Sequence, residues 1–492
     1  MTLHELLRGL PASLPPGATD PEVRGVRHDS RRVEPGDLYV ALVGQKFDGR
    51  SFLPEAAARG AVAALGAGPA PAGAPLPWVE AAEPRALLAP LAARVYGHPD
   101  RELKLVGVTG TNGKSTVATL VTAMFERAGR PAGFIGTLGY RFGGRDFGGE
   151  RTTPEASDFY ALLRTMRTAG AEAVAMEVSS HALAQGRVAG AQFQVAVFTN
   201  LTRDHFDYHP DFEHYYCTKR QLFSMLAPGG KAVLNRDDAY GRRLIEELRG
   251  EVPILTFGEG GDVHLARVEL ARSGSRGEIS TPRGRLSFST PLLGRYNLAN
   301  ALAAVAAAEA LELPHAAIAE TLAAQQPLPG RLEPVDRGQS FSVLIDYAHT
   351  DAALAAALSS LKELSGKKVI LVFGCGGDRD PGKRPLMGRV AGELADLPIA
   401  TSDNPRSEDP LAILEAVEEG LKASGNRAYR IVPDRREAIR LAIELADADC
   451  AVLVAGKGHE QVQIFRDGRV PFSDYQEILA ALEARLGHAA HR

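Results

Sequence analysis

The chain has 492 residues, of which 45% are hydrophobic and 24% are charged, as in an ordinary globular protein of about three domains. A formal net charge of −4 and an isoelectric point near 6.4 give no basic footprint for nucleic acid or anionic lipid. The three cysteines are scattered without CxxC spacing, which indicates neither a disulfide framework nor a structural zinc site.

The N-terminal segment, MTLHELLRGLPASLPPG, lacks the basic flank and the long apolar region of a signal peptide. No later apolar run is long enough to span a bilayer. We therefore expect a cytoplasmic protein that works as a monomer, inserts into no membrane and binds no nucleic acid.

The first predicted domain covers residues 1–98. Its composition changes at residues 66–77, GAGPAPAGAPLP, which precede a helical segment and then GHPDRE at residues 97–102. Proline and glycine clusters of this kind are typical of loops and linkers, so we place a boundary after residue 98.

The second predicted domain covers residues 99–329 and alternates strand and helix patterns, which predicts a parallel sheet covered by helices. The predicted elements are strands at residues 132–135, 173–178, 194–198 and 231–234 and a helix at 156–167. Residues 263–292 contain short strand patterns separated by Ser-Gly, Arg-Gly and Thr-Pro turns, which predict an antiparallel insertion. The alanine-rich residues 301–310 predict a helix.

The third predicted domain covers residues 330–492 and begins within a predicted hinge, PLPGRLEPVD, at residues 327–336. Its strand-length apolar runs lie in SVLIDYAHT, KKVILVFGCGGDRD, LPIATSDNPRSEDP, AYRIVPDRRE and CAVLVAGKGHE. Each run ends in glycine or charged residues, and in open parallel sheets ligands bind beyond the carboxyl ends of the strands. Two polar sheet edges in one chain predict a site that closes between two domains.

A glycine-rich turn, GTNGKST, follows the apolar run at residues 103–109 and leads into a predicted helix. Gly110 and Gly113 let backbone N–H groups approach phosphate oxygens, Lys114 can reach the terminal phosphates, and Ser115 can bind Mg²⁺. The N-terminal end of the helix attracts the same anion. The general nucleotide-loop pattern requires glycine at the position of Val108, so this is a different form of the loop. The alternative is an ordinary tight turn.

Acidic and histidine side chains follow two further predicted strands. Glu177 in AVAMEVSSH ends a buried strand, where a carboxylate needs a cation or a partner. The run FTNLTRDHFDYH offers Asp204, His205, Asp207 and His209. Oxygen ligands beside a phosphate loop favour Mg²⁺, and a zinc hydrolase site is the alternative. For His209 we favour an ordinary polar loop residue.

A strand-to-helix turn in the third domain, SDNPR, predicts a site that binds an amino acid. Arg406 can pair with a carboxylate bidentately, and Asn404 adjoins it. Arg379 in GCGGDRD and Glu460 in AGKGHE are predicted on neighbouring strand ends. A cationic and an anionic side chain together can bind the carboxylate and the ammonium group of an amino acid. The alternative is that the two side chains form an internal salt bridge with each other.

These motifs together resemble the Mur ligases, the ATP-dependent enzymes that build the peptide of bacterial cell-wall precursors. The resemblance covers essentially the whole chain and rests on nine motifs in the correct order: TGTNGKST, MEVSSH, TNLTRDHFDYH, GRYNLANALAA, PGRLE, DYAHT, GCGGDRDPGKRPLMG, SDNPR and AGKGHE. It implies an α/β fold of three domains: an N-terminal α/β domain for the uridine nucleotide, a central P-loop ATPase domain with a parallel sheet and a small antiparallel sheet, and a C-terminal Rossmann-like domain.

The resemblance assigns roles residue by residue. The residues that it implies for ATP are Gly110, Thr111, Asn112, Gly113, Lys114, Ser115, Thr116, Asn297, Asn300, Arg331 and Asp346, with His349 closing the same region. The residues implied for the UDP-muramoyl dipeptide are Ser30, Gln45, Lys46, Phe47, Thr152, Thr153, Ser179, Gln185 and Arg187. Those implied for the incoming amino acid are Arg379, Asp403, Asn404, Pro405, Arg406, Gly456 and Glu460.

The resemblance also implies a metal site and a modified lysine. Two Mg²⁺ ions would be held by Ser115, Glu177, His205 and Lys219. Lys219 resembles the family's carbamylated lysine, which gains an anionic oxygen ligand by reaction with CO₂; on its own it is an ordinary helical lysine. The implied catalytic residues are Lys114, Glu177, His205, Lys219 and His349.

Five residues at three places differ from the family pattern. Asp351 and Ala352 follow DYAHT where Pro-Asp is usual, which puts the turn after His349 in question. Arg151 stands where asparagine is frequent, and Cys217-Thr218 precede Lys219 where small residues are common. None of these changes removes an implied ligand.

The implied reaction is the ATP-driven addition of meso-2,6-diaminopimelate to the D-glutamate γ-carboxylate of UDP-N-acetylmuramoyl-L-alanyl-D-glutamate, through an acyl phosphate, in peptidoglycan biosynthesis. We expect the third domain to swing onto the second and exclude water. The first alternative is the same reaction with L-lysine or L-ornithine, which would leave Arg406 without a distal carboxylate. More distant alternatives are a folylpolyglutamate synthase-like ligase and a non-catalytic P-loop nucleotide switch.

Overall fold

The computed structural model describes residues 1–15, 17–44, 47–149, 151–271 and 273–490. Three sheets with mainly parallel strands follow one another along the chain, and two small antiparallel sheets accompany the second and the third. The predicted α/β class with an antiparallel insertion is confirmed. The domain boundaries after residues 98 and 329 stay predictions. No helix in the described ranges is both long and apolar enough to cross a membrane.

The first sheet has the strand order β1-β5-β4-β3-β2, and only β1 runs antiparallel to its neighbour. Its strands are β1 (Ala12–Ser13), β2 (Gly25–Arg27), β3 (Asp37–Ala41), β4 (Ala63–Gly66) and β5 (Trp78–Ala81). The accompanying helices are α1 (Leu3–Leu7), α2 (Leu53–Ala58), α3 (Pro84–Val95) and α4 (Pro99–Glu102), with 3-10 turns at Ser30–Arg32 and Gly49–Phe52. The buried leucines of α3 belong to an apolar core that continues into the second sheet, so the first two sheets are packed together.

The second sheet has the strand order β13-β12-β11-β6-β10-β7-β8-β9, and its strands are parallel from β13 to β7. The strands are β6 (Lys104–Thr109), β7 (Ala132–Gly136), β8 (Gly139–Phe142), β9 (Arg145–Asp146), β10 (Ala173–Glu177), β11 (Phe193–Phe198), β12 (Leu226–Asn235) and β13 (Ile254–Phe257). Its helices are α5 (Lys114–Arg127), α6 (Ala156–Thr168), α7 (Ser180–Ala184), α8 (Phe212–Arg220) and α9 (Ala239–Glu247), with a 3-10 turn at Gln221–Met225. Because β6 is central, the loop that follows it lies at the middle of the sheet's carboxyl edge.

The predicted antiparallel insertion is a three-stranded sheet of β14 (His264–Ala271), β15 (Gly274–Thr281) and β16 (Gly284–Thr290). Along β16 the side chains alternate between exposed and buried positions, as expected for a strand with one face on the core. Two helices follow, α10 (Arg295–Ala310) and α11 (His315–Ala324). The alanines of α10 are buried around most of the helix, and their small side chains let α10 pack closely against α5.

The third sheet has the strand order β17-β18-β22-β19-β20-β21, and only β17 is antiparallel. The strands are β17 (Glu333–Pro334), β18 (Ser342–Asp346), β19 (Lys368–Phe373), β20 (Leu397–Ala400), β21 (Arg430–Ile431) and β22 (Cys450–Ala455), followed by a hairpin of β23 (Val462–Phe465) and β24 (Gly468–Pro471). The helices are α12 (Asp351–Ser365), α13 (Lys383–Leu394), α14 (Pro410–Ala423), α15 (Arg435–Leu445) and α16 (Asp474–Ala490). Separate apolar clusters cover the two faces, which explains the continuous apolar runs of the central strands.

A fully buried ion pair joins α15 to α16 in the third unit, which consists of the third sheet and its helices. Asp474 accepts hydrogen bonds from Nε and Nη2 of Arg435 at 2.7 and 2.8 Å, and Arg435 also donates to the carbonyl of Ala455 at 2.9 Å. The same two helices are joined by Arg436, the next residue, and Glu477, a pair whose arginine is exposed. The two pairs therefore separate the effect of burial from that of charge pairing.

We expect Asp474→Ala to destabilise the protein by about 3–5 kcal/mol, because it leaves the Arg435 guanidinium buried without its counter-ion. Glu477→Ala should cost about 0–1 kcal/mol, since exposed pairs contribute little. Urea denaturation followed by circular dichroism gives both values. Equal losses in the two variants would contradict a special role for the buried pair.

Candidate active site

The glycine-rich turn joins β6 to α5 in the conformation that its two glycines allow. Gly110 has a φ of 144° and Gly113 a φ of 88°, values that favour glycine. A Cβ on Gly110 would lie 1.9 Å from Oγ1 of Thr199, and one on Gly113 would lie 2.2 Å from Oδ1 of Asn300. The loop therefore depends on close approach as well as on backbone freedom at both positions.

Two lysines converge on this turn. Nζ of Lys114 donates to the carbonyl oxygens of Gly110 at 3.0 Å and Thr111 at 2.8 Å. Nζ of Lys219, which belongs to α8, donates to the same Gly110 oxygen at 2.8 Å and lies 4.5 Å from the centre of the Tyr215 ring. Burial lowers the pKa of Lys114. Burial, with the nearby charge of Lys114, holds the pKa of Lys219 well below its usual value, so its amine is neutral more readily than that of an exposed lysine.

Glu177 ends β10 beside the turn and is 1% exposed. Its Oε1 accepts from the backbone N–H of Thr137 at 2.8 Å, and its Oε2 accepts from the Thr137 hydroxyl at 3.3 Å. A Cβ on Gly136 would lie 2.4 Å from Oε1, so the glycine makes room for the carboxylate. Thr137 was not among the predicted site residues, because no motif marks the end of β7.

The loop after β11 brings a carboxylate and a histidine into the same region. His205 has a φ of 59°, and its Nε2 lies 3.3 Å from Oδ2 of Asp204. Burial lowers the pKa of His205 to about 3, so the imidazole is neutral and can act as a metal ligand. His209 is buried and shares hydrogen bonds with Ser180 and His214 at 2.9 Å each, so both ring nitrogens are engaged within the protein.

Asp204 also connects the second sheet to the third. Its carboxylate lies 3.5 Å from Nε2 of His349, which follows β18, and 3.7 Å from Nζ of Lys383, the first residue of α13. Burial alone would raise the pKa of Asp204, but its interactions with His205, His349 and Lys383 hold it well below its usual value. Arg203 adds a second link, with Nε 2.9 Å from Oδ2 of Asp380. Sequence reasoning missed these links.

The turn after His349 is regular despite Asp351 and Ala352. Thr350 caps α12 by accepting a hydrogen bond from the N–H of Ala353, and α12 begins at Asp351, where an acidic side chain complements the helix dipole. His349 also donates from Nδ1 to the carbonyl of Tyr347 at 2.8 Å. The departure from the family pattern therefore leaves His349 in contact with Asp204.

A cavity of about 630 Å³ lies between the second and third sheets. The predicted residues on its wall are Thr111, Asn112, Gly113, Lys114, Ser115, Thr116, Thr152, Glu177, Ser179, Arg187, Asp204, His205, Asn300, Arg331, Asp346, His349 and Arg379. Asn297 is buried, and its Oδ1 lies 3.4 Å from Nδ2 of Asn300. Asp346 accepts hydrogen bonds from Tyr296 and from the N–H of Leu332, and Arg331 lies over the Tyr347 ring. His181 and Arg151 line the cavity without having been predicted there.

The residues predicted for the UDP-muramoyl dipeptide fall into two groups. Thr153 donates to the carbonyl of Glu177 at 2.8 Å, and Arg187 donates to the carbonyl of Thr153 and to Oε1 of Gln185, so Thr153 and Gln185 contact residues of the cavity wall. Ser30 donates to Glu55 within the first unit at 2.7 Å. The exposed Phe47 also lies in that unit, and Gln45 and Lys46 lie outside the described residues.

The residues predicted for the amino acid cluster beside Arg379. Gly376 lies between the two arginines, Arg379 and Arg406. A Cβ on Gly376 would lie 2.8 Å from Nη1 of Arg406 and 3.9 Å from Cγ of Arg379. Arg406 has a φ of 54°, and its Nη1 donates to the carbonyl of Gly377 at 2.6 Å. Burial and the charge of Arg379 lower the pKa of Arg406. The other members of the cluster are Asp403, Asn404, Pro405, Gly456 and Glu460.

The donor set suits Mg²⁺ better than zinc. Ser115 supplies a buried hydroxyl, Glu177 a buried carboxylate and His205 a neutral imidazole beside the nucleotide loop. Within the described ranges no three His, Cys, Asp or Glu side chains group closely enough to hold a metal by themselves. A zinc site made of protein ligands alone would need such a group, whereas Mg²⁺ is commonly held by one or two carboxylates together with phosphates.

The fold and the site define an ATP-dependent ligase whose nucleotide loop faces the edge of a second parallel sheet. Family patterns match three consecutive parts of the chain: "Mur ligase family, catalytic domain" at residues 22–96, "Mur ligase middle domain" at 108–308 and "Mur ligase, glutamate ligase domain" at 330–458. The chain belongs to the Mur ligase family, and the predicted resemblance is confirmed.

Relatives of the same length support this membership. The UDP-N-acetylmuramoyl-L-alanyl-D-glutamate–2,6-diaminopimelate ligase of Geobacter metallireducens is 42% identical over 98% of both chains, and that of Streptomyces coelicolor is 43% identical over 99% of this chain and 97% of its own. A solved structure of a ligase with the same name is 32% identical over 99% of each chain, with a TM-score of 0.68. The folylpolyglutamate synthase of Mycobacterium tuberculosis covers 75% of this chain and 92% of its own at 21% identity, with a TM-score of 0.62, which shows the fold alone.

We expect Gly113→Ala to weaken ATP binding at least about tenfold, because the new Cβ overlaps Asn300 and the positive φ strains an alanine. Gly129→Ala is the matched control, since Gly129 lies just beyond the other end of α5 with a φ of 75° and open space around its Cβ. Calorimetric titration with an ATP analogue measures both. Unchanged affinity in Gly113→Ala would contradict the close fit of the loop.

Proposed function

We propose that this protein adds meso-2,6-diaminopimelate to the γ-carboxylate of D-glutamate in UDP-N-acetylmuramoyl-L-alanyl-D-glutamate, with cleavage of ATP to ADP and phosphate. One observation carries the proposal: a single cavity is lined by the nucleotide loop, by Thr152, Ser179 and Arg187, and by Arg379. Three substrates could therefore meet there. We also propose that the enzyme acts as a monomer in the cytoplasm, with domains at residues 1–98, 99–329 and 330–492.

The first chemical step is phosphorylation of the γ-carboxylate. One carboxylate oxygen attacks the γ-phosphorus of ATP, the bond to the β,γ-bridging oxygen breaks, and an acyl phosphate and ADP form. We assign charge neutralisation on the γ-phosphate to Lys114, whose Nζ leaves the loop carbonyls to meet the phosphate, and orientation of the dipeptide to Arg187 and Thr152. Two Mg²⁺ ions, when bound near Ser115, Glu177 and His205, would supply further positive charge to the phosphates.

The second step forms the amide bond. The neutral amine of the amino acid attacks the acyl carbon, a tetrahedral intermediate forms, and its collapse expels phosphate while the nitrogen loses a proton. Water would compete for the acyl phosphate, so the cavity must be closed during this step. We assign that closure to the contacts of His349 and Lys383 with Asp204, which bring the third unit over the cavity.

We propose that Lys219 is carbamylated in the active enzyme. Carbamylation joins the neutral amine to CO₂ with loss of one proton, and it gives the side chain a negative charge. The low pKa of Lys219 provides the neutral amine, and the nearby charge of Lys114 would stabilise the resulting carboxylate. The product would be an oxygen ligand for the second Mg²⁺.

Lys219→Ala should reduce turnover by at least about a hundredfold, because the site loses one anionic ligand. A short carboxylate such as acetate should restore part of the activity by entering the space left by the side chain. Lys104→Ala, at the exposed start of β6, is the control and should keep full activity. Unimpaired turnover of Lys219→Ala would refute the role of the carbamate.

The choice of amino acid rests on the cationic pair of Arg379 and Arg406. Diaminopimelate carries a second carboxylate that a guanidinium can bind bidentately, whereas L-lysine and L-ornithine do not. We expect turnover with diaminopimelate to exceed that with either alternative by at least about a hundredfold in kcat/KM, measured as ADP release that requires the UDP precursor. Activity with L-lysine or L-ornithine but not with diaminopimelate would overturn this assignment. It would leave the proposed ligase reaction itself unchanged.

ADP release is also the test against a non-catalytic nucleotide switch. A ligase releases ADP stoichiometrically with amide formation and needs both the UDP precursor and the amino acid for repeated turnover. A switch would hydrolyse ATP without either. The folylpolyglutamate synthase alternative predicts activity with a folate substrate and none with the UDP precursor.

A further inference from the structure

Lys457 is a buried cation to which the mechanism above gives no role. It follows Gly456, which turns the chain at the end of β22 with a φ of 113°, and its side chain is 0% exposed. A buried ammonium group is costly unless it is paired and hydrogen-bonded. The partners of Lys457 therefore show what holds it there.

Both partners of Lys457 belong to the cluster predicted for the amino acid. Nζ lies 2.8 Å from Oε2 of Glu460 and 3.0 Å from Oδ1 of Asn404. Nδ2 of Asn404 donates to the same Glu460 oxygen at 2.8 Å, and the N–H of Ile464 donates to Oδ1 of Asn404 at 3.0 Å. Two donors on Oδ1 fix the orientation of the amide, so that its Nδ2 faces Glu460.

These contacts leave one side of Glu460 available. The hydrogen bonds that the described residues make to its carboxylate go to Oε2, and the side chain is partly exposed. Burial alone would raise the pKa of Glu460, but Lys457, the Asn404 amide and the charge of His349 hold it below its usual value. Glu460 is therefore an anion with Oε1 free to accept a donor.

We propose that Lys457 is a positioning residue of the amino-acid site, which holds Asn404 and Glu460, two residues that the family resemblance already implies for the incoming amino acid, in the orientation that binds it. The inference rests on the proposed function. The attacking nitrogen must lose its proton, and a carboxylate paired with it would oppose that loss. Glu460 therefore suits the other ammonium group, while Arg379 and Arg406 suit the neighbouring carboxylate.

The test compares Lys457→Met with Lys422→Met. Lys422 also pairs with a glutamate at 2.9 Å, but it is exposed on α14, so it controls for loss of a lysine–glutamate pair. We expect Lys457→Met to raise the KM for diaminopimelate at least about thirtyfold, with the KM values for ATP and the UDP precursor within about twofold. Lys422→Met should change none of the three. Equal rises in all three KM values for Lys457→Met would overturn the proposal.

A double-mutant cycle separates positioning from a structural role. If Lys457 acts through Glu460, Lys457→Met should add little to the loss caused by Glu460→Gln. Additive losses in diaminopimelate affinity would overturn the proposal. If Lys457→Met does not fold, the cycle uses Lys457→Gln. Failure of both variants to fold would show that Lys457 is needed for the stability of the core, and this result would also overturn the proposal.

The wild-type enzyme distinguishes this inference from the proposed function. A wild-type protein that consumes no diaminopimelate refutes the proposed function. A wild-type protein that consumes it, beside a Lys457→Met variant with an unchanged KM, refutes only the role of Lys457.

Discussion

The carbonyl oxygen of Gly110 accepts hydrogen bonds from two lysines, the half-buried Lys114 and the buried Lys219, and the site is organised around this contact. Two ammonium groups on one oxygen repel each other, and burial removes the water that would screen them. The arrangement is stable only if one amine is neutral or if anions enter. A bound triphosphate would balance the charge of Lys114, and conversion of the Lys219 amine to a carbamate would turn the repulsion into attraction.

The second constraint is the space around the turn. Gly113 lies against Asn300 of α10, and Gly110 lies against Thr199 at the end of β11, so the loop is held between two elements distant in sequence. The small side chains of α10 allow this approach because they bring the helix close to α5. The alanines of α10 therefore do more than favour a helix. They determine how closely Asn300 approaches the glycine-rich turn.

Much of the fold could be predicted from local patterns. The strands predicted at residues 132–135 and 194–198 correspond to Ala132–Gly136 and Phe193–Phe198, because buried parallel strands are continuous apolar runs. The strand predicted at residues 231–234 is longer in the structure, Leu226–Asn235, since its first half contains proline and glycines that no propensity rule assigns to a strand. Within the predicted hinge, β17 pairs with β18, a contact that local sequence cannot reveal.

The proximity of candidate site residues could be predicted where one motif supplies neighbouring groups, as at the glycine-rich turn and SDNPR. Contacts between motifs were not. Asp204 meets Lys383, and Arg203 meets Asp380, across more than 170 residues of sequence. Thr137, which orients Glu177, follows a strand without any distinctive pattern. Such partners depend on the relative placement of two sheets, and that placement is encoded in packing rather than in the spacing of any motif.

The contacts of Asp204 also explain how chemistry and closure can be coupled. Its carboxylate is next to His205 in the second sheet and within 3.7 Å of His349 and Lys383 in the third. Loss of these contacts would remove two neighbours, His349 and Lys383, that lower the pKa of Asp204. The charge of Asp204 is therefore stabilised by the same contacts to which we assign closure of the cavity. Because an acyl phosphate survives only where water is excluded, an arrangement in which the buried carboxylate and the closed cavity stabilise each other favours transfer to the amine over hydrolysis.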